Sequence, residues 1–181
     1  AILIYGADSM RVALRRQELL NALIGENAEE EMRLTRISGS DLRSDPALLS
    51  DGLKASGFFP GPRAVFVEGA TDTNSAIIDA AMQEWQKGDA VLVLTANQLN
   101  TRSKLRKMLE NNNNSLAISI YNDPPNEKEI ISIASKYNLN NFESDAKKDL
   151  IALGRSLDPG DFHQTCEKLS LYKYKDDSVI T

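Results

Sequence analysis

Short apolar runs separated by segments of helical period constrain the fold of this chain more than any other feature. Ile2-Leu3-Ile4-Tyr5 closes on Gly6, and further runs fall at 64–67, 90–94 and 116–121. Each has the length of a buried strand. Residues 32–37 instead alternate apolar and basic side chains, the pattern of a strand with one solvated face. Between the runs lie helical stripes. Val12, Leu14, Leu19, Leu20, Leu23 and Ile24 share one face before Gly25 stops the helix. Ser44-Asp45-Pro46 starts a helix that continues through Leu48, Leu49 and Leu53. Ile77, Ile78, Ala81 and Trp85 mark a helix over 74–86, and Thr101 caps another that turns Leu105, Met108 and Leu109 inward. Regular alternation of strand and helix predicts an α/β domain: a parallel sheet with helices on both faces.

The alternation ends at Asp123-Pro124-Pro125-Asn126. Two adjacent prolines break either kind of element, so a domain boundary is expected there. Beyond it only helical period remains. One helix covers 127–137 with Ile130, Ile131, Ala134 and Tyr137 inward. A second begins near Ser144, carries Ala146, Leu150 and Leu153, and stops at Gly154. A third has Asp158 as cap, Pro159 in its first turn, and Phe162, Cys166, Leu169 and Tyr172 on its inner face. Three such stripes predict a small helical bundle. The expected organisation is therefore an α/β domain over 1–122 and a helical domain over 123–181. The chain opens directly on a strand, implying a lost leader, and stops at Val179-Ile180-Thr181 without a terminating element, implying a further domain beyond.

Composition excludes several classes of function. No apolar run approaches the ~20 residues that cross a bilayer. A single cysteine, Cys166, rules out an internal disulfide and suits a reducing cytoplasm. A net charge of −5 argues against tight, autonomous nucleic-acid binding, which draws on an excess of Lys and Arg. Any work on DNA is expected within a complex.

A parallel sheet followed by a helical domain is the plan of many nucleotide-driven machines, whose phosphate loop follows the first strand. That loop needs G-x-x-x-x-G-K-[ST], with amides to cradle phosphates, a lysine to reach them and a hydroxyl for magnesium. Here it reads Gly6-Ala7-Asp8-Ser9-Met10-Arg11-Val12-Ala13. Arg11 replaces the second glycine, Val12 the lysine, and Asp8 brings negative charge where phosphates would lie. The run at 90–94 leads into Thr95-Ala96-Asn97 and lacks the paired acids that would hold magnesium. Nucleotide hydrolysis is not expected, and no catalytic, cofactor-binding or metal-ligating residue is assigned. His163 and Cys166 stand i, i+3 on a helix, but without another His or Cys a zinc site would need carboxylates or a second chain. Core packing for Cys166 and a solvated rim for His163 are expected instead. Asp8 with Glu68 leaves open a receiver-like or other small-ligand α/β domain. Arg102, Lys104, Arg106 and Lys107 open a helix against its macrodipole, consistent with a solvated face or an acidic partner.

One stretch stands out from this background. Gly57-Phe58-Phe59-Pro60-Gly61-Pro62-Arg63 leads into the strand at 64–67. Pro60 holds Phe59 extended, and adjacent side chains of an extended pair point to opposite sides. The fold can readily hide only one ring, so the turn reads as a hydrophobic tip offered to a partner. Both rings closing the bottom of the core is the alternative.

Taken in order, Leu3-Ile-Tyr-Gly-Ala-Asp8, Gly57-Phe-Phe-Pro-Gly-Pro-Arg63, Leu99-Asn-Thr-Arg-Ser-Lys-Leu105 and Glu167-Lys-Leu-Ser-Leu-Tyr172 resemble the delta subunit of bacterial DNA polymerase III, the clamp-loader subunit that grips the sliding clamp. The resemblance spans nearly the whole chain. It implies an AAA+-like sheet domain with a degenerate nucleotide site, a three-helix lid domain, and a collar domain absent here. It implies a non-catalytic component of the polymerase holoenzyme, with no cofactor of its own. Its partners would be the sliding clamp (the beta subunit), the gamma/tau and delta-prime loader subunits, and DNA through the assembled complex. The family's clamp-binding pair matches Phe58 and Phe59 by position, with Leu53 on the supporting helix. The pair departs from the commoner Leu-Phe, and Pro-Gly-Pro replaces a more polar turn.

Overall fold

In the computed structural model, which describes residues 1–176 and 178–181, the apolar runs become five strands. They are β1 (Ile2–Gly6), β2 (Leu34–Ser38), β3 (Ala64–Glu68), β4 (Val91–Ala96) and β5 (Leu116–Ile120). All pair in parallel in the order β2-β3-β4-β1-β5. Ile2 stands opposite Val93 on one side and Leu116 on the other, and Ala64 lies between Leu34 and Val91. Because strand side chains alternate, β3 sends Ala64 and Phe66 to one face and Val65 and Val67 to the other. The helix α1 (Ser9–Ile24) covers the first face, packing Leu20 and Ile24 on Ala64, Phe66 and Val93. Four helices cover the second: α2 (Gly39–Ser44), α3 (Ala47–Lys54), α4 (Ser75–Glu84) and α5 (Lys104–Glu110). Their Leu42, Leu49, Leu53, Ile78 and Leu105 meet Leu3, Val65, Leu92 and Leu94. The architecture is thus the expected α/β sheet layered between helices.

Several local expectations need correction. The strand at 32–37 starts two residues late, because Met32 takes a positive φ of 50° and turns the chain. Arg33, expected on a solvated face, is only 8% exposed. The short α2 carries no apolar stripe; Ser38 caps it by accepting the Asp41 amide at 3.0 Å. Trp85 leaves α4 as its C-cap, stays 41% exposed, and donates its indole N–H to the Ala90 carbonyl at 2.9 Å. The cap of α5 is Ser103 and not Thr101.

The chain divides by its contacts into two units, Ala1–Asn122 and Asp123–Thr181. The second unit consists of α6 (Glu127–Lys136), α7 (Ser144–Ser156) and α8 (Pro159–Tyr172). Asn126 and Glu129 form a reciprocal capping box at the start of α6. Ile130, Ala134, Leu139, Leu150, Phe162 and Cys166 make the core. Gly154 does not end α7. It lies inside the helix, where an added Cβ would sit 3.0–3.1 Å from three carbons of Ile130, so the glycine lets α6 and α7 approach. Tyr172, expected inward, is exposed at the end of α8. The terminal residues are not loose: Ile180 pairs with Phe142, donating to the Asn141 carbonyl and accepting from the Glu143 amide.

Candidate functional site

A parallel sheet has two chemically different edges, and the two candidate sites lie on opposite ones. Loops that follow strands gather at the carboxyl edge, where α/β proteins ordinarily hold ligands. The loop after β1 is there, and its amides are already engaged. Asp8 caps α1 by accepting from Met10 N at 2.9 Å and Arg11 N at 3.0 Å, while its second oxygen faces Arg11 Nε at 3.4 Å. Arg11 also donates to the Tyr121 carbonyl. The protein's own carboxylate therefore occupies the positive helix end that would otherwise take a phosphate. Gly6 is fixed by crowding, since a Cβ there would come within 2.6 Å of the Ile120 carbonyl oxygen. Nearby, a cleft of about 130 Å³ is lined by Ser9, Val12, Arg16, Glu68, Thr95 and Asn97 among others. Small-molecule pockets usually run to ~300–1,000 Å³, so this cleft is small by comparison. With Asp8 committed to capping, it also lacks the free acidic cluster that a receiver-like site needs.

The aromatic turn lies at the amino edge, just ahead of β3. Residues 55–63 have no regular structure, and the chain bends over 58–61. Phe58 is 91% exposed and Phe59 48%. Gly61 takes φ +133°, which a residue with a side chain rarely adopts. Leu53, which the family resemblance placed among the clamp-binding residues, is 2% exposed and packs in the core between α3 and the sheet. It anchors the helix that precedes the turn. The rings and the leucine are thus neighbours in sequence with different exposure.

Two arginines hold the base of the turn. Arg33 donates Nη1 to the Ile24 carbonyl at 2.6 Å and to the Pro62 carbonyl at 2.8 Å, and Nε to Glu31 at 2.7 Å. Its guanidinium also lies 3.4 Å from where a Gly61 Cβ would be. Arg63 donates Nη2 to the Gly88 carbonyl at 2.9 Å, and its Cδ would stand 3.1 Å from a Gly57 Cβ. Neither was visible as a support in the sequence. Arg33 belonged to an alternating apolar–basic pattern that reads as solvated, and only its burial beside Glu31 shows otherwise.

The remaining candidates fall elsewhere. In the basic cluster, Arg106 pairs with Glu110 at 2.7 Å and lies over the Tyr5 ring, whereas Arg102, Lys104 and Lys107 are exposed. The α5 start is tied down by Asp72, which accepts from Ser103 Oγ and Leu105 N and is held below the usual carboxylate range by those bonds. His163 is no solvated rim: Nδ1 is 2.9 Å from the Tyr137 hydroxyl, with the rings edge to face. Cys166 is fully buried, and burial pushes its thiol up to about 11. Among the described residues, no three His, Cys, Asp or Glu side chains gather as metal ligands. Nor is any helix among them long and apolar enough to cross a membrane.

No protein-family model matches this chain, and no curated protein matches it in sequence. Among solved structures it is similar to the Bacillus subtilis DNA clamp loader delta protein (YqeN), with a TM-score of 0.63 and 16% identity. The fold is that of a clamp-loader delta protein. The likeness covers 99% of this chain and 55% of the Bacillus protein, so the chain spans little more than half the length of its match. The likeness takes in both the sheet unit and the helical unit.

Proposed function

We propose that this chain acts as a non-catalytic clamp-loader subunit, the delta component of a DNA polymerase III holoenzyme. In this reading the sheet unit is an AAA+-like domain without a working nucleotide site, and the helical unit is its lid. The turn bearing Phe58 and Phe59 enters a hydrophobic pocket of the sliding clamp and helps hold one clamp interface open during loading onto primed DNA. Neighbouring gamma/tau and delta-prime subunits hydrolyse ATP, DNA is met by the assembled loader, and the setting is cytoplasmic.

The observation that carries this reading is an aromatic pair offered to solvent on a glycine- and proline-bounded turn. A Phe exposed to 91% gains nothing from the fold that holds it, and such anchors typically serve as interface hot spots. The delta fold and the filled loop after β1 support the same assignment. Immobilised sliding clamp from the same source should retain the protein and release the Phe58→Ala/Phe59→Ala variant. Equal retention of both would exclude the turn as the docking element.

A further inference from the structure

The two arginines beneath the turn do more than fill space. We infer that Arg33 and Arg63 form a brace that holds the Phe58–Phe59 tip in its docking conformation before any partner arrives; this rests on the clamp-docking reading above. Nine residues separate the end of α3 from β3, and backbone without regular hydrogen bonds samples many conformations. Ala64 N reaches the Arg33 carbonyl at 2.9 Å, and Val91 N reaches the Arg63 carbonyl at 2.8 Å. Both arginine backbones are thereby sewn into the sheet, while their side chains reach out to the turn. Arg33 ties the far end of the turn, at Pro62, to the end of α1, at Ile24. Arg63 supports the near end, at Gly57, and is itself fixed to Gly88 ahead of β4. The turn is gripped at both ends, and Phe58 projects from its middle beside a half-buried Phe59.

Buried charge is costly unless paired and fully hydrogen-bonded. Arg33 meets that demand with two carbonyls and the Glu31 carboxylate, so its place under an exposed turn is specified and not incidental. A lysine has neither the fork nor the reach to serve all three acceptors. The brace and the rings therefore have different kinetic signatures. If the tip is competent only a fraction of the time, apparent affinity falls by that fraction. With rapid exchange between tip conformations, the loss appears in association, whereas removing a ring speeds dissociation.

The test is the protein with Arg63→Ala, and separately Arg33→Lys, measured by surface plasmon resonance against purified sliding clamp, with amide hydrogen exchange at residues 57–61. Arg63 is on the surface side, so its variant keeps the test open if Arg33→Lys unfolds. Should the braced population fall to roughly one molecule in ten, association slows about tenfold. Dissociation stays unchanged in both variants, the melting temperature of Arg63→Ala holds, and exchange at 57–61 quickens. Unchanged exchange and association, with Phe58→Ala/Phe59→Ala still abolishing binding, overturns the brace and leaves the docking reading intact. Faster dissociation in Arg63→Ala also overturns it, because Arg63 would then be a contact. Wild-type binding by the double phenylalanine variant removes the docking reading and this inference with it.

Discussion

Replacing Phe58 and Phe59 singly separates the contribution of each ring to docking. Burying a Phe fully is worth about 1.5–3 kcal/mol, and only the part still exposed can be gained at an interface. Phe58, at 91% exposure, retains nearly all of that potential, about 1.4–2.7 kcal/mol. Phe59, at 48%, has already sunk half its surface into the protein and retains about 0.7–1.4 kcal/mol. Together they supply about 2–4 kcal/mol, or a roughly thirty- to thousand-fold change in clamp affinity. The two substitutions should therefore be unequal: Phe58→Ala weakens binding about ten- to hundredfold, and Phe59→Ala about three- to tenfold. Stability should order them the other way. Phe58→Ala leaves the melting temperature unchanged, while Phe59→Ala lowers it slightly through its buried half. Isothermal titration with the clamp and a thermal melt of each variant read both orders. A Phe59 effect on binding larger than that of Phe58, or a Phe58→Ala protein that unfolds, would refute the reasoning from exposure.

Three further outcomes follow from the same geometry. Asp8→Ala removes the α1 cap and should cost about 0.5–2 kcal/mol in urea unfolding, yet magnesium and ATP should produce no thermal shift in either protein; a shift lost on altering residues 6–13 would restore a nucleotide site. Gly154→Ala forces a methyl against Ile130 and should destabilise the helical unit by about 1–3 kcal/mol, seen as an earlier melting phase, with clamp binding by the sheet unit unchanged. Cys166 titrates near 11 in the fold against an ordinary thiol value of 9.0, so the folded state favours the protonated form. Its contribution to stability is full below the unfolded value and lost as pH rises from about 9 to 11. The native thiol should resist alkylation at pH 8 until denaturant is added, and Cys166→Ala should flatten the alkaline loss of stability.

Much of the fold was legible because burial imposes period. The central runs of β1, β3 and β4 are apolar since helices cover both their faces, and α1 matched its stripe and its glycine stop. Where a residue's environment comes from a distant segment, the sequence pattern misled. Arg33 has the look of a solvated strand residue until Ile24, Glu31 and Pro62 converge on it from three places. Gly154 suggests a helix end, because a sequence carries no sign of a neighbouring helix pressing on the missing side chain. Trp85 continues the α4 stripe in sequence, but its indole N–H finds the Ala90 carbonyl only after the helix has ended. At the candidate site, the stiffness of the turn could be read from Gly57, Pro60, Gly61 and Pro62. The tie points below it could not.

The two candidate sites are supported independently of one another. In an all-parallel sheet every loop after a strand lies at the carboxyl edge and every loop before a strand at the amino edge. The β1 loop and the aromatic turn are therefore separated by the full length of the strands, with the β3–β4 pairing between them. At the carboxyl edge Asp8 caps α1 directly after β1 and ties that loop down. Nothing in the support of the turn passes through that loop: Arg33 leans on the far end of α1, at Ile24, and Arg63 on Gly88. The supports of the turn thus lie in the sheet and in two arginines, and involve no residue of the loop after β1. In the proposed docking role, the turn is therefore held in place without any nucleotide bound to this chain.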